Sequence, residues 1–149
     1  MTRLFRKFVW TERGTAIVET AVTLPLLLLV AVGIFEFGRA YQTWQILTNA
    51  AREGARVAVL PNTAAGAPQA RVLQYLTAGQ LPNPSSATVS VTANTVDIGG
   101  GNTANTSVVT VTYPFSFVVL QPVASLVVSG STLASSVTLT AQAEMRNEM

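Results

Sequence analysis

An uncharged, apolar run between Glu19 and Glu36 constrains this chain more than any other feature. A bilayer core of about 30 Å takes about 20 predominantly apolar helical residues. With its flanks, residues 16–37, the run just reaches that length. A short leader precedes it, carrying Arg3, Arg6, Lys7 and Arg13. A carboxylate at the edge of such a helix is costly unless something answers its charge, which makes Glu19 a functional candidate.

A chain of 149 residues has room for one membrane segment and one small domain. Only 11% of the residues are charged, low for a soluble domain; the apolar run and an Ala/Val/Thr/Ser-rich C-terminal half account for this. The net charge of +2 does not imply nucleic acid, because four of the nine basic residues precede Gly14, where they orient a helix. Arg39 lies close to the far end of the run, with Arg52 and Arg56 further out. The balance places the N-terminus in the cytoplasm and the C-terminal domain outside. Trp10 before the run, and Tyr41 and Trp44 after it, sit where interfacial aromatics belong. The chain has no cysteine, so disulfides and thiolate metal sites are excluded. Gly33, Gly38 and Ala40 loosely mimic a secretory cleavage site, but helical sequence continues past them, which argues against ordinary signal removal.

The main helix is expected over 15–60, roughly 70 Å if continuous. Pro25 removes one of its backbone hydrogen bonds, so a kink is expected near residues 21–25. Beyond Glu36 an apolar stripe of Ala40, Trp44, Leu47, Ala51, Ala55 and Ala58 recurs at steps of three and four. About half of the helix therefore protrudes from a membrane and must bury that stripe elsewhere. A second helix is expected over 68–78, with Pro68 at its start, Gly79 at its exit, and Val72, Leu73, Leu76 and Tyr75 facing inward. Residues 87–93 and 107–113 alternate as a hairpin around a turn at 97–102. Pro114 is expected to interrupt the second strand, with 115–120 a further strand or extended segment. A helical turn over 122–128 and a last strand within 132–145 complete the reading. Together these predict an α+β fold, three or four antiparallel strands covered by the protruding half of the long helix.

Nothing in the spacing assembles a catalytic or metal site. The chain has no histidine, and its seven acids, Glu12, Glu19, Glu36, Glu53, Asp97, Glu144 and Glu148, are scattered. Gly99-Gly100-Gly101 lacks the lysine of a phosphate loop and reads as a turn, and Asn105-Thr106-Ser107 is a weak glycosylation sequon. No cofactor is expected. Glu19 has two readings: a carboxylate that snorkels to headgroups, or a charge that awaits a partner. Were the chain cut after Gly14, Thr15 would carry a free amine, and a water-excluding helix bundle would pair Glu19 of one copy with the amine of a neighbour. Such a pair would fix axial register. Glu36 and Arg39, three apart, read as a local ion pair, and Arg52, Glu53 and Arg56 as a solvated face with local pairing.

Gly14-Thr15-Ala16-Ile17-Val18-Glu19, then Leu24-Pro25-Leu26-Leu27-Leu28, then Gly33-Ile34-Phe35-Glu36-Phe37-Gly38-Arg39 resemble the N-terminal module of TadE-like proteins. Asn49-Ala50-Ala51-Arg52-Glu53-Gly54-Ala55-Arg56 continues the likeness, and Ala143-Glu144-Met145-Arg146-Asn147-Glu148 resembles that family's closing strand. These are minor pilins or pseudopilins of the tight-adherence (Tad/Flp) pilus, a type IV pilus subclass. The resemblance implies a leader over 1–14 removed by a prepilin peptidase between Gly14 and Thr15. It implies a pilin-like helix over 15–60, transmembrane at about 16–37 and amphipathic over 38–60, and an extracytoplasmic α+β domain over 61–149. Glu19 would be the fifth-position glutamate of cleavage or assembly. Implied partners are other pilin and minor pilin subunits, the peptidase, the inner-membrane assembly platform and the lipid bilayer, with no enzymatic turnover. Major Flp pilins are very short and commonly have an aromatic after that glutamate; Thr20 and a sizeable domain point here to a minor component. The resemblance leaves open TadF-like and TadG-like relatives, a pseudopilin of a secretion machine, and a permanently anchored extracytoplasmic binding module.

Overall fold

A computed structural model describes residues 12–120, 122 and 136–147. Residues 1–11 of the leader, Trp10 among them, and all but Pro122 of the turn expected over 122–128 lie outside the described residues. The elements are α1 (Glu12–Ala58), α2 (Ala67–Ala78), a 3-10 turn (Pro84–Ser86), β1 (Thr88–Gly99), β2 (Asn102–Phe115) and β3 (Val137–Arg146). The chain forms two units, Met1–Phe35 and Glu36–Met149.

In the first unit α1 is assigned without interruption through Pro25. The Thr20 and Thr23 hydroxyls donate to the carbonyls of Ala16 and Glu19 at 2.8 and 2.7 Å. Those hydroxyls are thus satisfied within the helix, which matters where water is absent. The apolar side chains stand outward: Ile17, Val22, Leu26, Leu27 and Ile34 are all exposed. The most apolar stretch of α1 has none of its residues buried inside the protein, unlike the core helix of a globular domain.

The second unit holds the core. Leu47, Ala50, Ala51 and Ala55 of α1, Val72 and Leu76 of α2, and Val109, Val111 and Tyr113 of β2 form it, with Leu81 and Ala141. The small residues of α1 let other elements approach closely. A Cβ on Gly54 would lie 2.5 Å from Val72 Cγ2 and 3.2 Å from Val109 Cγ1, so α1, α2 and β2 meet at this glycine. The expected stripe is therefore partly right. Leu47, Ala51 and Ala55 are buried, but Trp44 is 42% exposed, and Ala50 and Gly54 take the places flanking the stripe. In α2, Val72 and Leu76 are buried as expected, whereas Leu73 faces solvent.

The sheet is antiparallel in the order β1-β2-β3. Its hairpin turns at Gly99, Gly100 and Gly101, whose φ values of 90°, 65° and 78° favour residues without a Cβ. Pro114 does not interrupt β2. It pairs opposite Thr138, and β2 runs on to Phe115. The β1 pairing has already ended at Thr88↔Thr112, so β2 is locally an edge there, where a proline's missing N–H is tolerated. Residues 116–119 form no strand, and the described residues hold three strands. At the sheet's far end Glu144 Oε1 accepts from Thr106 at 2.6 Å and from Asn94 at 3.1 Å, tying all three strands together.

Substituting Gly54→Val tests the close approach. Overpacking against rigid Val72 should outweigh any gain in helix propensity and lower stability by about 1–3 kcal/mol in denaturant titrations. Tyr113 gives a second test. Its buried hydroxyl donates to the Pro82 carbonyl, and burial pushes its pKa above 10.0. The folded chain therefore holds this proton more tightly than the unfolded one. That stability is fully present below about pH 10 and is lost as pH rises through the raised value. Tyr113→Phe should flatten the alkaline decline in stability, read from denaturation midpoints at successive pH values.

Candidate functional site

Gly14 and Thr15 lie in the opening turns of α1 and are exposed, as is Glu19. Thr15 and Glu19 are four residues apart and so share a helix face. The Glu19 side chain has no hydrogen bond or ion pair with any described residue. The Thr20 and Thr23 hydroxyls are used by the backbone, so Glu19 is the polar group of this stretch whose charge is left to its surroundings. Pro25 lies further along the same helix and joins no polar cluster.

Glu36 and Arg39 are brought together as expected, with Arg39 Nη1 donating to Glu36 Oε2 at 2.9 Å. The pair is more than local, however. Glu36 is 0% exposed. Its other oxygen, Oε1, accepts from the backbone N–H groups of Val118 and Val119 at 3.0 and 2.9 Å. A buried carboxylate has about four acceptor positions, and these three charge-assisted bonds offset the loss of its water. Arg39 also stacks its guanidinium over the Phe115 ring, 5.2 Å from the centroid. Phe115 meets Phe117 edge-on at 5.3 Å, and Phe117 meets Phe37 at 6.0 Å. Glu36 is thus a clamp that holds residues 118–119 against the helix.

Sequence reasoning missed Val118 and Val119, which are more than 80 positions from Glu36. The available signal was stoichiometric: one arginine occupies one carboxylate oxygen and leaves the other in need of donors. Glu53 shows the same pattern. Its bond to Arg56 is loose, at 3.9 Å, whereas Arg71 donates to it through Nε and Nη2 at 3.3 and 2.9 Å. What read as local pairing on a solvated face is largely a tie between α1 and α2. Among the described residues no three His, Cys, Asp or Glu side chains gather as a metal site.

An apolar helix long enough to cross a bilayer, unburied within the protein and continued into an α+β domain, fits a membrane anchor. Residues 14–56 match the family model described as TadE-like protein. The matched segment includes Gly14, Glu19, the Glu36 clamp and the small-residue face at Gly54. No curated protein and no solved structure matches the chain.

The clamp predicts that Glu36→Ala, which strips two backbone donors and Arg39 of their acceptor, lowers stability by about 3 kcal/mol. Hydrogen exchange at the amides of residues 118 and 119 should accelerate in the same variant. Unchanged exchange there would mean that the loop is held by other contacts.

Proposed function

We propose that the protein is a minor pilin-like subunit of a Tad/Flp pilus, inserted in the bacterial inner membrane with its N-terminus cytoplasmic. A prepilin peptidase cuts between Gly14 and Thr15, and the α+β domain projects outward. The observation that carries this reading is the match to the TadE-like model over 14–56 together with an apolar stretch of helix in which the exposed Glu19 side chain has no partner among the described residues. In the membrane, lipid covers the helix. In the pilus, the helices of other pilin and minor pilin subunits take lipid's place, and Glu19 meets the new amine of a neighbour's Thr15. The pairing matters because an isolated carboxylate in such a setting is far more costly than a compensated one. The subunit's work is assembly, and through it adhesion and surface attachment, without turnover.

The permanently anchored binding module and the secretion pseudopilin share the same exposed helix. They differ in what becomes of Glu19. For a pilus subunit, Glu19→Ala should leave membrane insertion intact but reduce processing or incorporation at least tenfold, measured in pili sheared from cells with the complete apparatus. Wild-type levels of the variant in sheared pili would contradict the proposal.

A further inference from the structure

We propose that residues 117–119, pinned by Glu36, form a second contact with the lipid surface, an interfacial wedge. This rests on the reading of residues 16–37, approximately, as a bilayer span. Phe35 ends the apolar run and Glu36 follows it directly, so the clamp holds the loop where the chain leaves the hydrocarbon. The loop is suited to that depth. Ser116-Phe117-Val118-Val119-Leu120 carries no charge. Val118 is 62% exposed and Val119 37%, and Phe37, which meets Phe117, is 65% exposed. These apolar groups form one outward cluster on the second unit, unlike the isolated exposed residues common on soluble surfaces.

The backbone of the loop supplies an independent argument. A loop in water has no need of a buried carboxylate, because solvent satisfies its N–H groups. Near hydrocarbon, unsatisfied donors are costly, and irregular backbone is tolerated only where protein supplies the acceptors. Glu36 supplies them to Val118 and Val119. The headgroup layer is about 5–7 Å deep on each side. Phe37, the next residue after Glu36, is within about 1.5 Å of it along the helix and so falls within that layer. Arg39, partly exposed, can turn its free donors to lipid phosphates while its stem stays on Phe115. A second contact with the lipid surface would hold the α+β domain at the membrane before assembly.

The absence of cysteine allows a direct test with the full chain in vesicles of phosphatidylethanolamine and phosphatidylglycerol. Spin labels are placed singly through Leu27→Cys in the span, Val118→Cys in the wedge and Ile98→Cys near the hairpin turn, all at exposed side chains. Oxygen, which partitions into lipid, and a water-soluble nickel chelate then compete as relaxing agents. The proposal expects oxygen to dominate at 27 and 118, less strongly at 118, and the chelate to dominate at 98. Oxygen dominance at 27 with chelate dominance at 118 would overturn the wedge and leave the span intact. Shielding of 118 from both agents would mean that a protein neighbour covers it, which also overturns the proposal. Chelate dominance at 27 would remove the span reading and the wedge with it.

Discussion

The burial of the Glu36 carboxylate is the constraint that organises the rest of this structure. A charge with no solvent exposure survives only if its oxygens are matched, and here the partners are Arg39 and two backbone amides. Meeting that demand brings residues 116–119 back to the helix at the point where the apolar run ends. The aromatic contacts among Phe37, Phe115 and Phe117 follow from the same closure. On one side of Glu36 the helix exposes mainly apolar side chains, with Thr15, Glu19, Thr20 and Thr23 among them. On the other it becomes the backbone of a small core.

That core is built by economy of size. Ala50, Ala51, Gly54 and Ala55 make a smooth face on α1, against which Val72 and Val109 can sit. The TadE-like segment therefore serves two packing regimes with one helix. Bulky leucines over 26–29 suit lipid or neighbouring helices, while small residues over 50–55 suit close contact with the sheet and α2. Arg71, reaching back to Glu53, fixes α2 on that face.

Much of this was legible in the sequence, and the limits have physical reasons. The long helix, the hairpin and the closing strand declared themselves through their periods, because alternation and 3.6-residue spacing are local signals. The fate of Pro114 was misjudged, since whether a proline ends a strand depends on whether a neighbour strand needs its donor at that position. Trp44 looked like core by spacing, but an α-helix packing through alanines and glycine has no room for an indole on that face. Ion pairs were read only as far as three or four residues, because longer links such as Glu36 to Val118 depend on closure of the chain. Glu19 was legible as a candidate for the opposite reason: its side chain has no partner among the described residues.

The proposed role of Glu19 requires that its carboxylate meet a chain end that proteolysis creates. Intact mass of the protein extracted from membranes that also contain the peptidase tests it most directly. A chain beginning at Thr15, with 135 of the 149 residues (149 − 14), is the predicted result. A chain still beginning at Met1 in those membranes would contradict the account.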